Sequence, residues 1–282
     1  MIIEIIKFII YSSLIVLISK YILVNSLRKL AENLKLKSNV IGNIAGYATS
    51  IPELLTVSIS SFTGLINASI FNILSSNIIN FIQYIFSIII NKNIKEIKNK
   101  AIKVDILLVI ITIVIPIILL NVDADMNLYL VPLFILLAIT FITINIIYHK
   151  KYLKNVENEL LLNEQNKEKE EIKSNKKTYI YVLSLIISGI LLYFVGNELG
   201  ETLENMSKYF NISEVIIGIL LGFITSIPEL ITFFESQRHY KKSETNQILG
   251  VVEATNNLFT SNILNLFIIQ TIGIIICNIF IT

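Results

Sequence analysis

Two stretches of this chain carry the same residues that could do chemistry. Thr49-Ser50-Ile51-Pro52-Glu53-Leu54 recurs unchanged as Thr225-Ser226-Ile227-Pro228-Glu229-Leu230, and Thr56 is matched by Thr232. Downstream, Ser76-Asn77-Ile78-Ile79-Asn80 is echoed by Ser261-Asn262-Ile263-Leu264-Asn265, with Asn72 and Asn257 each four residues before the serine. Proline has no N–H, so Pro52 leaves the carbonyl of Ala48 unpaired and Pro228 leaves that of Ile224 unpaired. Beside each freed oxygen stand a carboxylate and two hydroxyls. Asn72, Ser76 and Asn80 share one helix face, as do Asn257, Ser261 and Asn265. The assembled set is all oxygen, which suits a hard cation such as Ca²⁺ with its roughly 6–8 oxygen ligands. Softer transition metals take His or Cys, and His149 and His239 are expected in cytoplasmic loops, away from the repeats.

The elements that hold these residues are membrane helices. The chain has 282 residues, 54% of them hydrophobic and 16% charged, and its apolar runs approach the roughly 20 residues needed to cross a bilayer core. No soluble domain is left over. The lone cysteine, Cys277, excludes an intramolecular disulfide and a cysteine-cluster metal site. The first apolar stretch is interrupted by Lys20 and lacks a small-residue cleavage pattern, so it reads as a helix and not as a signal peptide. Eight spans are expected, at 2–27, 38–62, 66–90, 104–120, 128–148, 178–195, 212–234 and 247–269, with the tail 271–282 extending the last. The fold class is an all-α polytopic membrane protein with two inverted-topology repeats. The first half is 1–148 (five spans), the cytosolic charged linker 149–177, and the second half 178–282 (three spans).

The connections after spans one, three, five and seven hold 20 of the 23 Lys and Arg. Basic residues stay on the cytoplasmic side, so the amino terminus of this multi-pass cell-membrane protein is expected outside. Span two then runs outward and span seven inward. Opposed modules of this kind place a binding site at the midplane between them. The outer connections carry Asp123, Asp125, Glu198, Glu201, Glu204 and Glu214. These either concentrate cations at an outer mouth or are solvated charges left once lysine is excluded. Glu53 and Glu229 read as the two most deeply placed carboxylates, and acids inside a membrane are functional-site candidates. A proline can be a plain kink, and Ser, Thr and Asn can simply join helices. A repeated, inverted pair with an acid in each copy favours a site. Two ionised carboxylates facing each other in low dielectric repel. One cation must then be traded for another, which is antiport.

At these residues the chain resembles the calcium/cation antiporter superfamily, whose sodium/calcium exchangers carry paired alpha-repeats of the form G-T-S-[LI]-P-E and G-S-N-x-x-[ND]. The resemblance covers spans two, three, seven and eight. It implies Ca²⁺ exchanged for Na⁺ or H⁺, with no cofactor and spans one and six sliding on a fixed core. It also implies Glu53 and Glu229 as principal metal ligands, assisted by Thr49, Ser50, Ser76, Asn80, Thr225, Ser226, Ser261 and Asn265, with backbone oxygens from Ala48 and Ile224.

Three departures stand out. Ala48 and Ile224 replace the leading glycines, and Ile224 is bulky where a carbonyl should approach the ion. Ser75 and Thr260 replace the glycines before Ser-Asn, so looser helix packing is expected there. Asn80 and Asn265 stand where many sodium-coupled members have an aspartate in one repeat, which leaves protons open as counter-ion. The family usually has ten spans, so the second half reads as short: a reduced form, a truncation, or a chain completed by a homo-oligomer or another subunit. The competing reading is an accessory membrane subunit that keeps the fold without transporting alone. No nucleophile, base and orienting group occur together to support an enzyme, and nothing supports nucleic-acid binding. Glu253 precedes Asn257 by four residues. It either lines the inner access path or snorkels at the interface.

Overall fold

The structure, a computed structural model, describes residues 2–34, 36, 38–121, 127–153, 178–210, 212–242 and 247–280. Asp123, Asp125 and residues 154–177 of the expected linker lie outside the described residues. Among those described, all regular structure is helical. The order is α1 (Ile2–Ile18), a π-helical segment Ser19–Val24, α2 (Asn25–Asn33), α3 (Ser38–Thr49), α4 (Ile51–Phe62), α5 (Ile66–Ile90), a short 3₁₀ turn Glu96–Lys98 and α6 (Lys100–Asn121). Then come α7 (Leu130–Tyr152), α8 (Thr178–Phe210), α9 (Glu214–Thr225), α10 (Ile227–Lys242), α11 (Gln247–Ile263), a second π segment Leu264–Ile269 and α12 (Gln270–Phe280).

Among the described residues, six helical runs are long and apolar enough to cross a membrane: Ile66–Ile90, Lys100–Asn121, Leu130–Tyr152, Thr178–Met206, Glu214–Lys241 and Gln247–Phe280. The other two expected spans are helical as well, one as α1 through α2 and one as α3 and α4. The tail continues the last helix to Phe280, as expected. The sixth span ends later than the hydropathy suggests. α8 runs to Phe210, which puts Glu198, Glu201 and Glu204 on a helix and not in an outer connection. There Tyr11 donates to Glu198 Oε2 (3.0 Å), tying α1 to α8, and Lys208 pairs with Glu204 (2.6 Å). Glu214 is not a free loop charge either. Its carboxylate accepts from the backbone N–H of Asn67 (3.0 Å), an otherwise orphaned donor at the start of α5.

Packing follows an inside-out rule suited to lipid. Outward faces of α7 and α8 expose Ile135, Leu136, Ile139, Ile186, Ile190 and Phe194, while the side chains between the repeats are polar and buried. Each repeat's first module helix crosses the other repeat's second one. α3 lies on α11 through Gly42 and Gly46, and α9 lies on α5 through Gly218 and Gly222. A Cβ on Gly46 would stand 2.8 Å from Thr260 Cβ, and one on Gly218 would stand 2.6 Å from the Ala68 carbonyl. The looser packing expected from Ser75 and Thr260 is therefore not what the structure has. Ser75 sits against Gly222 and Thr260 against Gly46, so the missing glycine of one helix is supplied by its partner. Ile224 likewise turns its side chain into the apolar cluster of Ile15, Ile18, Leu192 and Leu221 beside α1 and α8.

Gly222→Val should force these helices apart, whereas Gly189→Val, at a position with no atom within 4 Å, should be neutral. Overpacking costs about 1–3 kcal/mol, so the unfolding midpoint should fall by about 5 °C for Gly222→Val. Reaction of the buried Cys277 with a maleimide dye on heating reports it.

Candidate functional site

Each repeat breaks its helix at the same point. Ser50 (φ −84°, ψ 3°) separates α3 from α4, and Ser226 (φ −79°, ψ 0°) separates α9 from α10. The chain still closes around each break. Ser50 N donates to Gly46 O (3.2 Å) and Leu54 N to Ser50 O (3.1 Å), and in the second repeat Ser226 N donates to Gly222 O (3.2 Å) and Leu230 N to Ser226 O (3.3 Å). Pro52 and Pro228 occupy the first turns of α4 and α10, where a missing N–H matters least. Glu53 and Glu229 follow them directly.

The second helix of each module brings its asparagines to the centre. Asn77 Nδ2 donates to the Asn262 carbonyl (3.2 Å), and Asn262 Nδ2 donates to the Asn77 carbonyl (3.1 Å). Asn80 Nδ2 reaches Asn262 Oδ1 (3.4 Å), and Asn265 Nδ2 reaches Asn77 Oδ1 (3.2 Å). These reciprocal bonds express a pseudo-two-fold relation between the repeats. Further out, each repeat makes the same bond within itself. Asn72 Nδ2 donates to Thr56 Oγ1 (2.8 Å), and Asn257 Nδ2 donates to Thr232 Oγ1.

Around this centre the hydroxyls bridge from one repeat to the other. Ser50 Oγ and Ser261 Oγ are 2.9 Å apart, and Ser261 Oγ donates to Glu229 Oε1 (3.1 Å). Ser76 Oγ lies 3.5 Å from Thr225 Oγ1, and Thr49 Oγ1 donates to Asn257 Oδ1 (3.5 Å). Thr49, Ser50, Glu53, Ser76, Asn80, Thr225, Ser226, Glu229, Ser261 and Asn265 are all fully buried. Ser50 and Ser261 so join the helix break beside Glu53 to Glu229 itself.

Satisfaction is incomplete in a patterned way. Both carboxylate oxygens of Glu53, Oε2 of Glu229, Oδ1 of Asn80, Oδ1 of Asn265 and Oγ of Ser226 have no hydrogen-bond partner. Buried oxygens left unpaired are costly, and these include the same atoms from both repeats. All but the Ser226 hydroxyl are acceptor oxygens, of the kind a hard cation binds. No group of three His, Cys, Asp or Glu comes together among the described residues, so the charge here is two carboxylates within neutral oxygen.

The histidines differ from expectation. His149 is not in a loop: it lies in the last turn of α7 and is 5% exposed, and His239 lies within α10. His149 Nε2 stands 2.6 Å from Asp105 Oδ2, and Asn145 Nδ2 donates to Asp105 Oδ1 (2.9 Å) and towards Asn256 Oδ1 (3.4 Å). Asp105 is as deeply buried as Glu53 and Glu229, so those two are not alone at depth. It stands near the start of the expected span 104–120, outside both repeated segments. The spacing of His149, Asn145 and Asp105 on adjacent helices was the available signal.

A bundle of spanning helices with opposed repeats, each broken beside a buried acid, is the architecture of a secondary transporter. The chain matches the family described as "Sodium/calcium exchanger protein" over residues 5–148 and 180–281, and it belongs to that family. It is 30% identical over 237 residues to "Uncharacterized membrane protein MJ0091" of Methanocaldococcus jannaschii, a match covering 81% of this chain and 69% of that protein. Two solved structures of the sodium-calcium exchanger NCX_Mj, from crystals soaked with Na⁺ and Sr²⁺, share the fold. Their TM-scores are 0.56 and 0.52 at 21% and 22% identity, each covering 98% of this chain and 83% of that one.

The Asp105–His149 pair yields a stability prediction. His149→Leu should cost about 3–5 kcal/mol by stranding a buried carboxylate. The double variant Asp105→Leu/His149→Leu should recover part of that loss, measured by thermal unfolding in detergent.

Proposed function

We propose that this chain exchanges Ca²⁺ for Na⁺ or H⁺ across the cell membrane by alternating access, with its amino terminus outside. The observation that carries this reading is the set of unpartnered oxygens of Glu53, Glu229, Asn80, Asn265 and Ser226 within a buried, inter-repeat shell. Glu53 and Glu229 are the principal ligands. Thr49, Ser50, Ser76, Asn80, Thr225, Ser226, Ser261 and Asn265 assist, with backbone oxygens of Ala48 and Ile224. The helices 1–148 and 178–282 act as the two halves around them.

The chemistry follows from charge. Two carboxylates withdrawn from water repel and lack hydration. One Ca²⁺ neutralises both, and so do two monovalent cations or two protons. The empty form resists exposing the site to the other side, because the uncompensated acids would cross a medium that solvates them poorly. Exchange is thereby coupled. Asn80 and Asn265 donate their amide N–H groups across the repeat interface, so each presents only its neutral carbonyl oxygen to the ion. Without a third carboxylate, protons serve as counter-ion as readily as Na⁺. That all the acidic and amide positions are present and brought together favours a chain that transports by itself over an accessory subunit.

Reconstituted vesicles should take up radiolabelled Ca²⁺ when an outward Na⁺ or proton gradient is imposed. Glu53→Gln and Glu229→Gln should each lower the rate at least about tenfold, equivalent to about 1.4 kcal/mol. Uptake indifferent to both gradients, or unchanged in both variants, would overturn the proposal.

A further inference from the structure

Asp105 of α6, buried away from the central shell, has both carboxylate oxygens paired: Oδ1 with Asn145 Nδ2 (2.9 Å) and Oδ2 with His149 Nε2 (2.6 Å). A carboxylate only accepts, so the ring hydrogen that faces it is on Nε2. Nδ1 of His149 is then a bare lone pair, buried and without a partner. With both oxygens of Asp105 satisfied, the vacancy of this cluster is a nitrogen, and a single nitrogen does not hold a hard cation. The ligand that fits is a proton.

Charge gives the proton a reason to bind. A neutral imidazole on an ionised carboxylate leaves one buried negative charge, whereas a proton on Nδ1 makes the pair neutral. The groups packed around the pair do not supply that charge. α5 presents Tyr84, whose hydroxyl pairs with Thr255 of α11 (2.8 Å), and α11 presents Asn256. Lys103 and Lys150 are exposed, and Lys100 and Lys151 lie over the ring of Tyr152 (5.5 and 5.4 Å). The 3₁₀ turn packed on α6 and α11 carries Glu96 and Lys98, neither of them buried. Glu253 is 4% exposed, so it does not snorkel to the interface, and it lines a separate cavity with Thr232, Ser236 and Asn257. Water has a way in. Asn145 also lines a cavity of about 350 Å³ between α3, α7 and α11, together with Asn43, Tyr47 and Thr260. That is room for several waters at about 30 Å³ each.

We propose that Asp105 and His149 form a proton site on the inner side, separate from the ion shell, which sets how firmly α6 and α7 dock on α11. His149 lies in the last turn of α7, the cytoplasmic end by the orientation given above. The proton-bound pair is neutral and leaves Asn145 free to reach Asn256 Oδ1 (3.4 Å). The next residue, Asn257, donates to Thr232 and accepts from Thr49 of the shell. Docking is firmest with the proton bound and weakens as the inner pH rises through the titration of the pair. Phe71 stands in the first repeat where Asn256 stands in the second, so this control acts on one half of the site only.

Two measurements decide the matter. The chain has two histidines, so the nitrogen NMR spectrum of ring-labelled full chain in detergent reads each of them, with His239→Gln to assign the signals. Nδ1 of His149 should be bare at high pH and protonated at low pH, with Nε2 protonated throughout. An Nδ1 that keeps one state wherever the chain is folded, or a hydrogen on Nδ1 with none on Nε2, overturns the proposal. The second measurement rests on the exchange reading above. It follows isotope exchange of Ca²⁺ for Ca²⁺, which needs no counter-ion gradient, in vesicles of fixed orientation with pH varied at the inner face alone. The rate should fall at least about threefold across the pH interval in which Nδ1 loses its proton. Asp105→Asn/His149→Gln, which keeps the shape of the pair without its charge, should remove that step and hold the maximal rate within about twofold. A step that survives in the double variant belongs to Glu53 and Glu229 and overturns the proposal. A double variant inactive at every pH marks a purely structural clamp and overturns it too. If the unmodified chain exchanges no Ca²⁺, the exchange reading fails and the NMR spectrum alone decides the proton site.

Discussion

Every oxygen and amide withdrawn into hydrocarbon has to find a partner, and the arrangement of this protein follows from how that requirement is met between its two repeats. Asn77 and Asn262 satisfy one another's backbone carbonyls, while Asn80 and Asn265 each spend an amide N–H on the opposite repeat. Those amide donors are thereby committed across the interface. Acceptors remain, and the largest surplus lies on Glu53 and Glu229 beside the broken helices. A surplus of buried acceptors around two negative charges is stable only with positive charge among them. The binding function and the fold are thus two aspects of one electrostatic constraint.

Close approach of the repeats makes that constraint act at short range. Glycines four apart on α3 and on α9 let each helix seat against the partner module, so that hydroxyls on Ser50, Ser76, Thr225 and Ser261 can bridge between repeats. The bulk carried by Ser75 and Thr260 is accommodated because the space is left by Gly222 and Gly46 on the facing helix. Symmetry is strong at the centre and weaker outwards. Glu214, which caps α5, has Ser38 as its counterpart at the start of α3, where the hydroxyl instead lies 3.2 Å from Tyr240 Oη.

A second polar cluster docks α6 and α7 on the same core. Asp105, His149 and Asn145 are joined to one another and through Asn256 to α11, the helix that also carries Asn257 and Ser261. Tyr84 and Thr255 add a hydroxyl pair at 2.8 Å between α5 and α11. Helices whose outer faces touch only lipid gain little from apolar contact with one another. Polar bonds of this kind, with the ring contacts of Phe134 and Phe141 on Phe267, give α6 and α7 a fixed place.

How much of this was legible without coordinates differs by kind of feature. Hydropathy located the helices, because the bilayer sets their length, but it misjudged α8, whose last turns are amphipathic and carry glutamates. The doubled Thr-Ser-Ile-Pro-Glu-Leu and Ser-Asn segments identified the candidate site outright, since identical residues in opposed copies mark a shared environment and proline predicts its own helix break. The sequence alone therefore determined which residues meet chemical demands, and that the two copies oppose one another. Tertiary structure decided which oxygens stay unpaired, that Gly46 and Gly222 absorb the bulk of Thr260 and Ser75, that His149 is buried against Asp105, and that Glu253 faces a cavity. Those outcomes depend on distances between helices far apart in the chain, and no local pattern of residues encodes such distances.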